Sequence, residues 1–128
     1  MDNYSRKEIG FLAENIAARY LQDRGYEVID RNFRRPWGEI DIIAKKNGAF
    51  IFVEVKANSK TYIGDFDPEV RVNPEKMTKI IKTASLFVNN LKNSSPVEWQ
   101  IDVVSVNFDR ENKKARIRHI KNVGEDFS

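Results

Sequence analysis

The chain has 128 residues, enough for one domain with its own core. Its 41% hydrophobic and 32% charged content excludes a disordered or fibrous chain, and the absence of cysteine excludes disulfides and thiolate metal sites. A net charge of +3 permits nucleic-acid binding without demanding it. Met1 to Glu8 lacks the apolar stretch of a secretory signal, and no apolar run approaches the roughly 18 residues of a membrane span. A cytoplasmic protein with no membrane partner is therefore the expectation.

Ser5-Arg6-Lys7-Glu8 has the form of a capping box. It opens an amphipathic helix with Ile9, Leu12, Ala13, Ile16, Ala17, Tyr20 and Leu21 on its apolar stripe, closed at Gly25. Residues 26–34 are predicted as a strand, with the run Arg31-Asn32-Phe33-Arg34-Arg35 at its far end. Pro36 and Trp37 break the chain before two central strands, about 39–45 and 49–57. Between them stands Asn47-Gly48, a hairpin turn signal. Residues 58–72 form the longest irregular piece, of a length that marks a functional or mobile loop. Asn73 as N-cap and Pro74 at the first helical position start a second helix, with Met77, Ile80, Ile81, Ala84, Phe87, Val88 and Leu91 on its core stripe. Residues 93–96 end it. Strands over 99–108 and 115–120 follow, joined by a turn at 109–112. Neither a repeat nor a long linker divides the chain, so residues 1–128 are expected to form a single domain. The order αβββαββ predicts an α/β fold, a mixed central sheet flanked by helices.

Chemistry concentrates in the two central strands. Gly38-Glu39-Ile40-Asp41-Ile42-Ile43 and Phe52-Val53-Glu54-Val55-Lys56 set charges between apolar residues with period 2. Glu39 and Asp41 then share one face, as do Glu54 and Lys56. A type I′ turn at Asn47-Gly48 pairs Lys46 with Ala49, and counting back puts Asp41 opposite Glu54 and Glu39 opposite Lys56. Two carboxylates across a ladder repel, and a cation relieves the repulsion. Magnesium suits the place, because it is commonly held by one or two carboxylates and completes its shell with water and phosphate oxygens. Lys56 could orient or help deprotonate a water, or stabilise charge developing on phosphorus. The plain alternative is a surface ladder of ion pairs, Glu39 with Lys56 and Asp41 with an arginine.

Basic residues surround this acidic centre. Arg31, Arg34, Arg35, Lys45 and Lys46 flank it, and Lys76, Lys79 and Lys82 follow on the second helix. Arg31, Arg34, Arg35 and Lys76 are the candidates for positioning a nucleic-acid backbone, against the plain reading of a solvated mixed surface. His119, the single histidine, is expected as a surface or satisfied core residue. Trp37, after proline, caps a core more readily than it stacks on a base, and Trp99 and Phe108 are packing residues. Neither a dinucleotide nor a P-loop glycine motif occurs.

The two acidic motifs together resemble the PD-(D/E)xK nuclease core, in the form seen in archaeal Holliday-junction resolvases. More closely, the chain is similar to the YraN-like family of uncharacterised proteins regarded as nucleases. The similarity includes Gly10 and Glu14 with Ala17 on the first helix, Tyr20-Leu21, Gly25-Tyr26 and Arg31-Asn32-Phe33-Arg34. It continues through Lys76 and Ala84, Asp102-Val103-Val104 and His119-Ile120-Lys121-Asn122. It implies a restriction-endonuclease-like fold and a magnesium- or manganese-dependent endonuclease acting on nucleic acid, with branched or otherwise structured DNA as the substrate class. Asp41, Glu54 and Glu14 would hold the metal, Lys56 would be the catalytic lysine, and Glu39 an accessory residue. Resolvase-like enzymes act on symmetric junctions as dimers, so a homodimer belongs to the same expectation. Two arginines usual in the family, at the positions of Asn58 and Gln100, are absent. The alternative is a non-catalytic module that keeps the fold and binds nucleic acid or a protein partner.

Overall fold

Ser5 starts the first helix as its capping box predicts. Its hydroxyl accepts the Glu8 N–H at 3.2 Å, and Glu8 Oε1 accepts the Ser5 N–H at 3.3 Å. Helix α1 (Arg6–Asp23) follows, and the chain leaves it through Gly25, whose φ of +87° strains any side-chain-bearing residue. The structure is a computed structural model in which residues 5–58, 72–91, 96–109 and 112–125 are described. The expected loop over 58–72 lies almost wholly outside the described residues, as does most of the expected helix exit at 93–96.

Five strands form one sheet in the order β1 (Glu27–Arg35), β2 (Gly38–Lys46), β3 (Ala49–Asn58), β4 (Trp99–Asp109) and β5 (Lys114–Ile120). Three neighbouring pairs are antiparallel, and β3 runs parallel to β4. A parallel pair needs a crossover, and helix α2 (Pro74–Asn89) lies in the connection. Asn73 caps α2 by accepting the Lys76 N–H at 2.8 Å. At the β2–β3 turn, Asn47 and Gly48 have φ of 52° and 83°, the positive values of a type I′ turn. Lys46 pairs with Ala49, as counted from the sequence.

The two helices cover opposite faces. Ala13, Ala17 and Leu21 of α1 pack with Ile42, Val53 and Val104. Met77, Ile80 and Ala84 of α2 pack with Ile43, Phe52 and Val103. With a helix on each side, the central strands bury both faces and read as near-continuous apolar runs. Each large side chain buried this way stabilises the fold by about 1.5–3 kcal/mol. The Pro36-Trp37 turn is tied to α2, since Trp37 Nε1 donates to Thr83 Oγ1 at 3.0 Å. No helix among the described residues is long and apolar enough to cross a membrane.

Candidate active site

Two ladders lose their regularity at the same place. In the β1–β2 pair, Arg31 matches Ile42 and Phe33 matches Ile40, but Asn32 and Asp41 between them are unmatched. Asn32 has a φ of 56°, left-handed backbone that asparagine tolerates better than most residues. In the β2–β3 pair, the register runs from Lys46↔Ala49 to Ile42↔Val53 and stops. One more step would set Asp41 opposite Glu54, as the sequence count expects. Instead, Asp41 Oδ2 accepts the Val55 N–H at 2.7 Å, so a side chain takes a backbone partner at the end of the ladder. Alternation slips here as well. Ile42 packs beneath α1 and Ile40 beneath α2, two residues apart, so strict period 2, which put Glu39 and Asp41 on one face, breaks at Asp41.

Each predicted site residue has a definite place around this opening. Glu54 is only 5% exposed, on the α2 side of β3, and its Oε1 is in an ion pair with Lys76 Nζ from the first turn of α2. Lys56 lies two residues further along the same face, and its ammonium has no hydrogen bond or ion pair among the described residues. Glu14 comes from α1, on the other side of the sheet. Its Oε1 accepts from Arg31 Nε at 3.0 Å and Asn32 Nδ2 at 2.9 Å, and pairs with Arg31 Nη2 at 2.9 Å. Arg31 Nη2 also donates to Asn15 Oδ1 at 2.7 Å. Glu39 meets Arg34, its partner on β1, with Nε and Oε2 2.7 Å apart, and not Lys56 as the count predicted. Arg35 donates to the Arg34 carbonyl at 2.7 Å and lies over the Phe33 ring.

Among the expected backbone-binding residues, then, Arg31, Arg34 and Lys76 all hold carboxylates of the site. Lys76 is the partner of Glu54 that the sequence did not reveal, because the pairing joins two elements separated by the connection to α2. Asn32 and Asn15 also escaped notice. An asparagine inside a strand is the available signal for Asn32, since asparagine is depleted in strands and tolerates positive φ.

Burial, then the charge of Glu54, push the Asp41 carboxyl up to about 8. The Val55 N–H works against this, and the charges of Glu39 and Glu14 add to it. Burial opposes the charge on Lys76, but its hydrogen bond and charge contact with Glu54, together with Asp41 and Glu39, hold its pKa above the ordinary lysine value. Glu39, Glu75, Lys76 and Lys79 line an open groove of about 340 Å³, together with Gly38, Asn73 and Ile80.

Among the described residues, no three acidic or imidazole side chains gather as a metal cage. What the geometry offers is a pair, Asp41 and Glu54, each with one carboxylate oxygen already engaged, by the Val55 N–H and by Lys76. A pair fits magnesium better than zinc or calcium, because magnesium keeps several waters. Glu14 adds negative charge from the other side.

The sequence profile of an uncharacterised protein family, UPF0102, matches residues 13–106 and so spans every residue of this opening. A UPF0102 protein of Fervidobacterium nodosum is 38% identical over 128 residues, which is 99% of this chain and 89% of the relative. Another, from Campylobacter fetus, is 41% identical over 114 residues, 89% of this chain and 91% of the relative. A third, from Clostridium botulinum, is 38% identical over 120 residues, 94% and 96% of the two chains.

Proposed function

This chain belongs to the UPF0102 family, and from that premise we propose that it is a divalent-metal-dependent nuclease of restriction-endonuclease-like fold. The observation that carries the reading is the pair of a half-buried Asp41 and a buried Glu54, beside Lys56, whose ammonium is unengaged among the described residues. A carboxyl pushed up to about 8 by burial and a second acid is a site short of positive charge. Magnesium or manganese held by Asp41 and Glu54 would supply a Lewis acid for a phosphate oxygen and a water of lowered pKa.

The chain's own residues have separate tasks. Asp41 is oriented by the Val55 N–H, which fixes one oxygen and leaves the other to a ligand. Lys56 shares a face with Glu54 and orients the attacking water or meets charge developing on the phosphoryl group. Glu14, clamped by Arg31 and Asn32, keeps the far side of the opening negative. Lys76 shares Glu54, and with Lys79, which pairs with Glu75 at 3.7 Å, it places ammonium groups along the groove where a nucleic-acid backbone would pass. Structured or branched DNA as the substrate, and a homodimer as the assembly, follow from fold-level analogy.

Purified protein is expected to cleave branched, single-stranded or duplex DNA with manganese, and Lys56→Ala is expected to abolish cleavage while sparing binding. Manganese titration followed by calorimetry should show binding that Asp41→Asn weakens. No cleavage of any of these substrates, together with no bound manganese, would overturn the enzymatic reading. The second reading, a non-catalytic binding module, draws on the Lys76–Glu54 pair, which already supplies one of the acids with a positive partner.

A further inference from the structure

Among the arginines expected to meet nucleic acid, Arg31 and Arg34 are committed to Glu14 and Glu39. Two others are not. Arg116 and Arg118 on β5 are exposed and have no hydrogen bond or ion pair among the described residues. Their strand concentrates positive charge. Residues 113–121 hold Lys113, Lys114, Arg116, Arg118 and Lys121 and no acid, five positive charges against a chain total of +3.

Register fixes which way these arginines face. Lys56 pairs with Ser105 and Ser105 with Arg118, so the three stand side by side across β3, β4 and β5. Asn58, Asn107 and Arg116 form the next row in the same way. Residues directly opposite in a sheet share a face. Glu54 pairs with Val103, which packs beneath α2, and Lys56 and Asn58 follow at period 2. Both arginines therefore stand on the face of Glu54 and Lys56. Their neighbours in sequence, Ile117 and His119, pair with Val106 and Val104 on the α1 side.

We infer that Arg116 and Arg118 form a second contact for the nucleic-acid backbone, on the sheet face that carries Lys56. The chemistry selects the ligand. Two unpaired guanidiniums on a strand without acids suit a run of phosphates and disfavour a basic protein surface. The spacing suits it too. Two inter-strand steps of about 4.8 Å separate Lys56 from Arg118, roughly 10 Å, or about three nucleotides of axial rise. A strand held at the opening by one phosphate then meets the arginines a few nucleotides away. A basic edge strand also discourages sheet-to-sheet pairing, but that role needs only exposed charge and not a shared face with Lys56.

The inference takes its ligand class from the nuclease reading of Asp41 and Glu54, and its test is kept separate by measuring binding without cleavage. Binding of a fluorescent DNA duplex is measured in EDTA across a salt series, for the wild type, Arg116→Ala/Arg118→Ala and a charge-matched control, Arg19→Ala/Arg24→Ala. The β5 variant is expected to bind more weakly, with a salt slope shallower by about 2, one unit for each phosphate no longer neutralised. The control should leave the slope near that of the wild type, and Arg116→Lys/Arg118→Lys should restore most of the binding, since a phosphate on the backbone needs charge and not a fork. An unchanged slope in the β5 variant, an equal change in the control, or a wild type that binds no duplex would each overturn the inference. Binding that depends on the arginines with no cleavage under any metal would leave it standing and overturn the nuclease reading instead.

Discussion

The protein buries carboxylates in two places and treats them in opposite ways. On the α1 side, Asp102 is fully buried and accepts from three donors: Gln100 Nε2 at 2.8 Å, the Asn122 N–H at 2.9 Å and His119 Nε2 at 2.7 Å. On its other side, His119 Nδ1 lies 3.2 Å from Tyr20 OH, within hydrogen-bond distance. Every group in that chain has a partner, and together they tie β4, β5, α1 and the segment after β5. At the opening, Asp41 has, among the described residues, one N–H and a second acid for company, and its pKa is raised. A satisfied buried acid holds a fold together. An under-satisfied pair costs stability and waits for a ligand.

The largest expected effect tests the satisfied end. Asp102→Ala leaves three donors without an acceptor, and we expect a loss of about 3–5 kcal/mol in urea unfolding. Asp102→Asn keeps an acceptor oxygen but sets an NH₂ against one of the three donors, so it should lose less. If Asp102→Ala unfolds at the wild-type urea midpoint, the Asp102 network is not the structural tie described and the contrast with Asp41 fails.

Much of this is legible in the sequence, and what is not has a common cause. The Ser5–Glu8 box, the Asn47-Gly48 turn and the Asn73-Pro74 start are local signals, and they set the element order and the β2–β3 register. The apolar stripes of both helices are equally plain, because periodicity survives any packing. Partners of buried polar groups are set by how α1 and α2 seat on the sheet, which no local pattern encodes. Hence Lys76 reads as a residue for the nucleic-acid backbone and not as the partner of Glu54, and His119 stays between surface and core. Asn32 sits in left-handed backbone at an unmatched rung of the β1–β2 ladder, which no periodic pattern shows. Arg116 and Arg118 have a visible signal, basic residues at alternate positions, but the face they occupy comes only from the register of β3, β4 and β5.

A smaller effect, of opposite sign, tests the under-satisfied end. The Asp41 pKa is raised in the fold, from 3.8 to about 8, so between those values the folded state binds more proton than the unfolded one. Its contribution to stability is full below about pH 4 and is lost as pH rises through 8. Asp41→Asn keeps an acceptor for the Val55 N–H and removes the charge, so it should match the wild type near pH 3, below both values. Near pH 9 it should be more stable by at least about 1 kcal/mol, the equivalent of less than one unit of pKa shift. Urea unfolding of both proteins at the two pH values measures the difference. A variant equally or less stable than the wild type at pH 9 would mean that Asp41 is not under electrostatic stress.

The smallest effect joins that stress to the proposed ligand. At pH 7 the Asp41 carboxyl, with its pKa pushed up to about 8, carries a proton that a bound cation must displace. Manganese binding should therefore release close to one proton per ion at pH 7 and almost none at pH 9.5, where the carboxylate is already formed. Calorimetric titration in buffers of different ionisation enthalpy reads that number directly. Apparent affinity should rise with pH until about 8 and then level off, because the competing proton is gone. Asp41→Asn should bind manganese weakly and release no proton. Proton release that persists in Asp41→Asn would assign the linkage to another group and remove the link between the raised carboxyl and cation binding.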